Sequence, residues 1–208
     1  MLKPSTESPA AVGPFTILTV CTGNICRSPL SEVLLRMGLT SQDARVHSAG
    51  THALVGSGMP AENLRIATEL GVPEAQLHRA RQLTVEHLEN SDLILALSRE
   101  HRRFIVDLHP RAHRRTFTLR EFARLADAVP QDALPSSSDT TATQDWRRAV
   151  EAAAQFRGTL LPPRFPEDDD VIDPYHREAA VYELSAQQQL PAVASTLNLL
   201  RRAARAEA

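Results

Sequence analysis

Cys21 and Arg27 stand at the two ends of one short segment, Cys21-Thr-Gly-Asn-Ile-Cys-Arg27, with Ser28 and Pro29 directly after it. Five residues between a thiol and a guanidinium let a loop curl into a ring around one anion. The sulfur then lies beneath the ring and the arginine closes it. A guanidinium is a planar, two-pronged donor and suits phosphate geometry better than an ammonium. Backbone N–H groups would point inward, with Gly23 expected to take the positive φ that turns the chain. Inward amides, a helix N-terminus after the loop, Arg27 and the Ser28 hydroxyl all favour a thiolate at Cys21. A thiolate so placed attacks phosphorus and forms a thiophosphate intermediate. The arginine and the amides neutralise the equatorial oxygens, so this scheme calls for no metal or other cofactor. A cysteine at a strand end is, taken alone, more often a small buried hydrophobe. Gly23, Asn24, Arg27, Ser28 and Pro29 in step favour the chemical reading.

Such a reaction needs a proton for the leaving oxygen. The candidate is Asp173, in Asp168-Asp-Asp-Val-Ile-Asp-Pro-Tyr175. Pro174 keeps it extended and stiff, so the loop can hold a carboxylic acid over the anion. Asp168, Asp169 and Asp170 read as a solvated charge run, with no suitably spaced partner that would make them metal ligands. His109 and His113 lie across Pro110 and read as part of a basic surface turn with Arg111, Arg114 and Arg115.

The elements that must place these residues alternate. Phe15–Val20 reads as a strand running into the loop, and Pro29–Met37 as a helix with Gly38 as its C-cap. Ala44–Ser48 is a second strand, Ala49–Pro60 a glycine-containing loop, and Ala61–Leu70 a helix stopped at Gly71-Val-Pro73. Thr84 caps a helix Val85–Asn90, with His87 where a full capping box has Glu. Asp92–Leu97 is apolar on both faces, as a central parallel strand is. Ser98 caps Arg99–Leu108; Arg115–Leu119 is a fourth strand and Glu121–Ala128 a helix. Pro130–Asp145 is polar and Ser/Thr-rich and reads as an exposed mobile loop, followed by an extra helix Trp146–Phe156. The last helix spans Arg177–Ala204, and Pro191 is expected to kink or split it. This order predicts a doubly wound parallel sheet with the ligand loop at the carboxyl end of a central first strand.

Composition narrows the function classes. The chain has 208 residues, 42% hydrophobic and 23% charged, with a net charge of −2. That suits one α/β domain over 15–208 with an insertion at about 126–167, preceded by a Pro/Ser/Ala-rich tail at 1–14 expected to be disordered. The charge offers no case for nucleic acid as partner, and no apolar run approaches a membrane span. The cysteines, Cys21 and Cys26, share one loop rather than forming a disulfide framework, which points to a reducing, cytoplasmic setting.

V-C-T-G-N-I-C-R-S-P, together with the distant D-P-Y, resembles the low-molecular-weight protein-tyrosine phosphatase family over roughly 15–125 and 168–205. The resemblance implies a flavodoxin-like four-stranded parallel sheet flanked by helices, with an anion-binding loop after the first strand. It implies Cys21 as nucleophile, Arg27 as phosphate clamp, and Asp173 as general acid and then as assistant to water. Thr22, Gly23, Asn24, Ile25, Cys26 and Ser28 would surround the phosphate ester, and the serine after the arginine would stabilise the thiolate. Asn24 would hold a left-handed conformation, tied by a hydrogen bond to Ser48. Tyr175 would wall the slot and favour a tyrosine-phosphorylated protein substrate. Cys26 matches a cysteine that in many members traps an oxidised nucleophile as a disulfide.

Three departures stand out. Ser98 occupies a place after the third strand where many members carry an acid. Ala53–Met59 lacks the aromatic that lines the slot in some members, with Leu54 or Val55 as substitutes. Residues 126–167 exceed the family pattern and read as a tolerated surface insertion. Two other functions compete with hydrolysis. Arsenate reduction on the same loop needs resolving cysteines that are absent here, or an external thiol. A non-catalytic anion-binding module would not call for Cys21, Arg27 and Asp173 together.

Overall fold

The computed structural model describes residues 13–39, 43–134 and 140–204. Its centre is a four-stranded parallel sheet in the order β2-β1-β3-β4, formed by β1 (Phe15–Cys21), β2 (Ala44–Gly50), β3 (Leu93–Ala96) and β4 (Thr116–Thr118). The first strand is central, paired along its whole length with β2 from Phe15 opposite Ala44 to Cys21 opposite Gly50, and with β3 on its other side.

Alternation along β1 divides the core. Phe15, Ile17 and Cys21 face one apolar layer and Leu18 and Val20 the other. The first layer is covered by α1 (Arg27–Gly38), α2 (Ala61–Glu69), α5 (Leu119–Ala128), α6 (Ala142–Gln155) and α7 (Ala179–Ala204). The second is covered by α3 (Val85–Glu89) and α4 (Arg99–Leu108). Thr84 and His87 do form a capping box, the imidazole standing in for the usual carboxylate. Ser98 caps α4 as the sequence predicts.

Several boundaries differ for identifiable reasons. Gly38 is not a C-cap; it is the last residue of α1, and Leu39 caps it. A Cβ at Gly38 would come within 2.2 Å of Leu197 Cδ1, so glycine there lets α1 and α7 approach. The last helix runs through Pro191 without splitting. Its buried Gln189 accepts a hydrogen bond from Ser31 Oγ at 2.8 Å, which ties α7 to α1.

The reading of 130–145 as an exposed loop is corrected at both ends. Leu134 is buried, and a capping box of Thr141 with Gln144 starts α6 four residues earlier than Trp146. Residues 135–139 of that loop lie outside the described residues. The helix is not a surface decoration. Trp146 is 5% exposed, meets Phe15 edge-on at a centroid distance of 5.6 Å, and donates its indole N–H to the Leu200 carbonyl at 3.0 Å. The tail expected at 1–14 lies outside the described residues except for Gly13 and Pro14; the Gly13 carbonyl accepts a hydrogen bond from Arg147 Nη2 at 3.0 Å. Among the described residues no helix is long and apolar enough to cross a membrane.

Candidate active site

β1 ends on Cys21 and α1 begins at Arg27, so the loop between them closes at the positive end of a helix. Cys21, Thr22, Gly23, Ile25, Cys26 and Arg27 line a pocket of about 150 Å³ together with His52, Leu54, Asp173 and Tyr175. Residues up to 154 positions apart in the chain thus meet at the carboxyl end of the central strand. Arg27 is buried, and its Nη1 donates to the Val171 carbonyl at 3.2 Å. Its Nη2 pairs with Asp173 Oδ2 at 2.7 Å. Asp173 Oδ1 accepts the Tyr175 N–H at 3.2 Å, so the carboxylate is held by its own turn as well as by the guanidinium.

Behind the pocket runs a buried polar chain. Cys21 Sγ is 3.0 Å from Ser28 Oγ. Asn24 Nδ2 donates to Ser28 Oγ at 2.9 Å and to Ser48 Oγ at 2.8 Å. Ser48 in turn donates to the carboxylate of Glu32, which is 3% exposed and pairs with Arg36. Asn24 carries φ 54°, the left-handed conformation, and is pinned there by Arg81 N–H on its Oδ1 at 2.8 Å and by His78 Nε2 against its carbonyl at 2.6 Å. Gly23 does not take a positive φ; the left-handed residue of the loop is Asn24. A side-chain amide tied on every side can hold a conformation that otherwise favours glycine.

The two cysteines differ. Both are buried and free. Burial pushes the Cys26 thiol up to about 12, with the neighbouring Cys21 and Asp173 adding to the shift, so Cys26 stays protonated at neutral pH. Cys21 has the Ser28 hydroxyl as its partner, whereas Cys26 has that of Tyr182.

The loop that carries Asp173 is tied down at many points. Val171 N–H donates to the Leu97 carbonyl at 2.9 Å, and Ile172 N–H to Gln188 Oε1 at 2.8 Å. The expected solvated run at 168–170 is instead a set of anchors. Asp169 pairs with Arg124 at 2.6 Å, Asp170 with Arg99 at 3.0 Å, and Asp168 Oδ2 accepts the Phe165 N–H at 3.2 Å.

Of the slot residues, Leu54 lines the pocket while Val55 is 69% exposed and does not line it. Tyr175 is half-exposed at the rim, its ring 3.8 Å from that of His176. The residues reached only through the structure are Glu32, His52, His78, Arg81 and His101. One of them left a trace: Glu32 lies four residues after Ser28 on the same helix, a carboxylate among buried neighbours. The basic turn at Pro110–Arg115 lies outside this pocket, and no cluster suited to a metal occurs among the described residues.

Comparison with known proteins agrees with this geometry. The low molecular weight phosphotyrosine protein phosphatase family model matches residues 16–154. A protein-arginine-phosphatase of Geobacillus stearothermophilus is 38% identical over 114 residues, which are 55% of this chain and 75% of that protein. The low molecular weight protein-tyrosine-phosphatase Etp of Escherichia coli K12 is 43% identical over 101 residues, 49% of this chain and 66% of Etp. Among solved structures, the YwlE arginine phosphatase of G. stearothermophilus superposes with a TM-score of 0.62 at 26% identity, covering 90% of this chain and 94% of its own. The tyrosine phosphatase Wzb of E. coli K30 shares the fold with a TM-score of 0.60 at 23% identity, over 88% of this chain and 97% of its own. The family match begins within β1 and takes in the whole loop that closes over Cys21, and on that ground the chain belongs to the low molecular weight phosphotyrosine protein phosphatases and is a phosphatase.

Proposed function

We propose that the protein hydrolyses phosphotyrosine in proteins, and aryl phosphates generally, through a phosphate ester on Cys21. The observation that carries this reading is the pocket itself: sulfur and guanidinium at its floor, Asp173 at its mouth, and Ile25, Leu54 and Tyr175 around it. In the first step Cys21 Sγ attacks phosphorus in line with the ester oxygen. The P–O bond breaks, and Asp173 gives its proton to the departing phenolate. Arg27 exchanges Asp173 for the equatorial oxygens as the dianion enters. In the second step Asp173, now ionised, takes a proton from water as that water attacks phosphorus. The S–P bond breaks and leaves the thiolate and inorganic phosphate. Cys26 stays a thiol and supplies no nucleophile.

The relatives include both an arginine and tyrosine phosphatases, so the leaving group must be chosen. A phosphorylated guanidine carries several N–H donors that need acceptors once desolvated. Ile25 and Leu54 offer none, Thr22, His52 and Asp173 supply only a few at the lining, and the Tyr175 ring suits a stacked phenyl group. An aryl ester therefore fits better. No observation favours arsenate reduction over hydrolysis.

The test is hydrolysis of phosphotyrosine and phosphoarginine peptides by the wild type, Cys21→Ser and Asp173→Ala. Tyrosine release by the wild type should exceed arginine release, and Cys21→Ser should be inactive. Asp173→Ala should lose roughly 100-fold or more with phosphotyrosine and much less with an activated aryl ester, which leaves without a proton. Equal losses with both esters would show that Asp173 is not the acid. A preference for phosphoarginine would overturn the choice of substrate.

A further inference from the structure

His101, in the first turn of α4, is 4% exposed and uses both ring nitrogens. Its Nε2 lies 2.8 Å from Thr22 Oγ1, and its Nδ1 lies 2.9 Å from Ser98 Oγ. Ser98 Oγ also accepts the His101 backbone N–H at 3.3 Å as the helix cap. The next residue, Arg99, donates its backbone N–H to Asp170 Oδ1 at 2.7 Å and pairs with that carboxylate through its side chain. The first turn of α4 therefore grips the nucleophile loop through His101 and the acid loop through Arg99.

The ring is neutral. Burial pushes its pKa down to about 3, and the nearby Arg27 charge acts in the same direction. A neutral imidazole has one N–H and one acceptor nitrogen, so two arrangements exist. With the proton on Nδ1, Ser98 Oγ accepts twice and its own proton has no partner among the hydrogen bonds of the described residues. With the proton on Nε2, Ser98 donates to Nδ1, and Nε2–H donates to Thr22 Oγ1. Each arrangement leaves one hydroxyl proton over; the second leaves it on the exposed Thr22 rather than on the half-buried Ser98, which favours the second. Thr22 is exposed at the rim and lines the pocket.

We infer that His101 is a positioning residue of the phosphatase site: as its Nε2–H tautomer it donates to Thr22, fixes the second residue of the loop, and leaves the Thr22 hydroxyl free to donate to an oxygen of the bound ester. This rests on the phosphatase reading above. The donor bond exists in substrate and transition state alike, so its loss raises KM and leaves kcat nearly unchanged.

The test has two arms. In the first, ¹⁵N NMR of the histidine rings in the wild type reads the tautomer without any substrate. A His101 resonance pattern of the Nε2–H form is expected, and the Nδ1–H form would overturn the inference. In the second, KM and kcat for an aryl phosphate are measured for Thr22→Val, His101→Leu, His101→Gln and the double variant Thr22→Val/His101→Leu. Each of the first two should raise KM roughly 3- to 10-fold, the range of one hydrogen bond. His101→Gln, whose amide reaches the Nε2 position, should restore most of the loss. The double variant should be no worse than either single. Multiplied losses in the double variant, or an unchanged KM in Thr22→Val, would overturn the proposal. If His101→Leu fails to fold, Thr22→Val and the NMR arm still decide. A wild type that turns over no aryl phosphate would sink the phosphatase reading, while the tautomer would still be read.

Discussion

Ser28 Oγ lies 3.0 Å from Cys21 Sγ and accepts an N–H of Asn24 at 2.9 Å. The other N–H of Asn24 goes to Ser48, whose own proton goes to Glu32. Asn24 thus donates both ways, toward Glu32 through Ser48 and toward Ser28, and the Ser28 proton is left for the sulfur; its other acceptor, the Ala49 carbonyl, is farther at 3.5 Å. A hydroxyl donating to a thiolate is a charge-assisted bond worth about 1.5–3 kcal/mol. Ser28→Ala should therefore lower kcat/KM roughly 10- to 100-fold and slow alkylation of Cys21 by iodoacetate at neutral pH. An unchanged alkylation rate would show that the hydroxyl does not support the anion. At this scale the sequence was readable where the pocket is built from one contiguous segment: Cys21, Arg27 and Ser28 lie together in the chain, and Pro174 marks Asp173. His78 and His101 were not readable, because each reaches the loop only through the fold, from 54 and 79 residues away.

Each element ends where the site needs it. Cys21 is opposite Gly50 in the sheet, and the loop leaves β1 directly over β2. A Cβ at Gly50 would stand 2.4 Å from the Thr22 carbonyl oxygen and 3.0 Å from Ala53, which are backbone neighbours that no rotamer change can move aside. Gly50→Ala should displace the loop after β1 and cut kcat/KM at least about tenfold, or 1.4 kcal/mol. Its urea midpoint should fall as well, and wild-type activity in a folded Gly50→Ala protein would refute the packing argument. Element types and order followed from periodicity and stop signals. The errors fell at caps. Thr141 and Gln144 spell a capping box that sits inside a run of small polar residues, and that composition read as loop. Gly38 looked like a helix stop, but the reason for its glycine is Leu197, 159 residues on.

At the scale of the whole molecule, α6, within the stretch 126–167, packs into the core rather than on its surface. Trp146 is buried against Phe15 and bonded to Leu200. Trp146→Ala should cost about 3–5 kcal/mol by urea unfolding, with kcat of the folded fraction unchanged. A loss below about 1 kcal/mol would restore the surface-insertion view. That reading failed because a single tryptophan on a short helix carries no mark of which layer it enters. Stability should also depend on pH. His47, His78 and His101 all lie below the ordinary imidazole value, chiefly through burial. The unfolded chain therefore binds more protons than the native one below the ordinary value of 6.5, down to about 3 for His101. Their contribution is complete above that ordinary value and is lost as pH falls through it. The urea midpoint should drop between about pH 7 and about pH 5, and His101→Gln should flatten the slope. A midpoint flat across that range would contradict neutral burial of these rings.

The claim on which the account turns is that phosphate passes through the sulfur of Cys21. Asp173→Ala should slow the first step with an unactivated ester, so the Cys21 intermediate is best sought in the wild type with an activated aryl phosphate, quenched in acid during turnover and mapped by mass spectrometry. The account predicts phosphate on the peptide containing Cys21 and sulfur-bound by ³¹P NMR, and none in Cys21→Ser. Phosphate found on another residue, or steady turnover in Cys21→Ser, would contradict it.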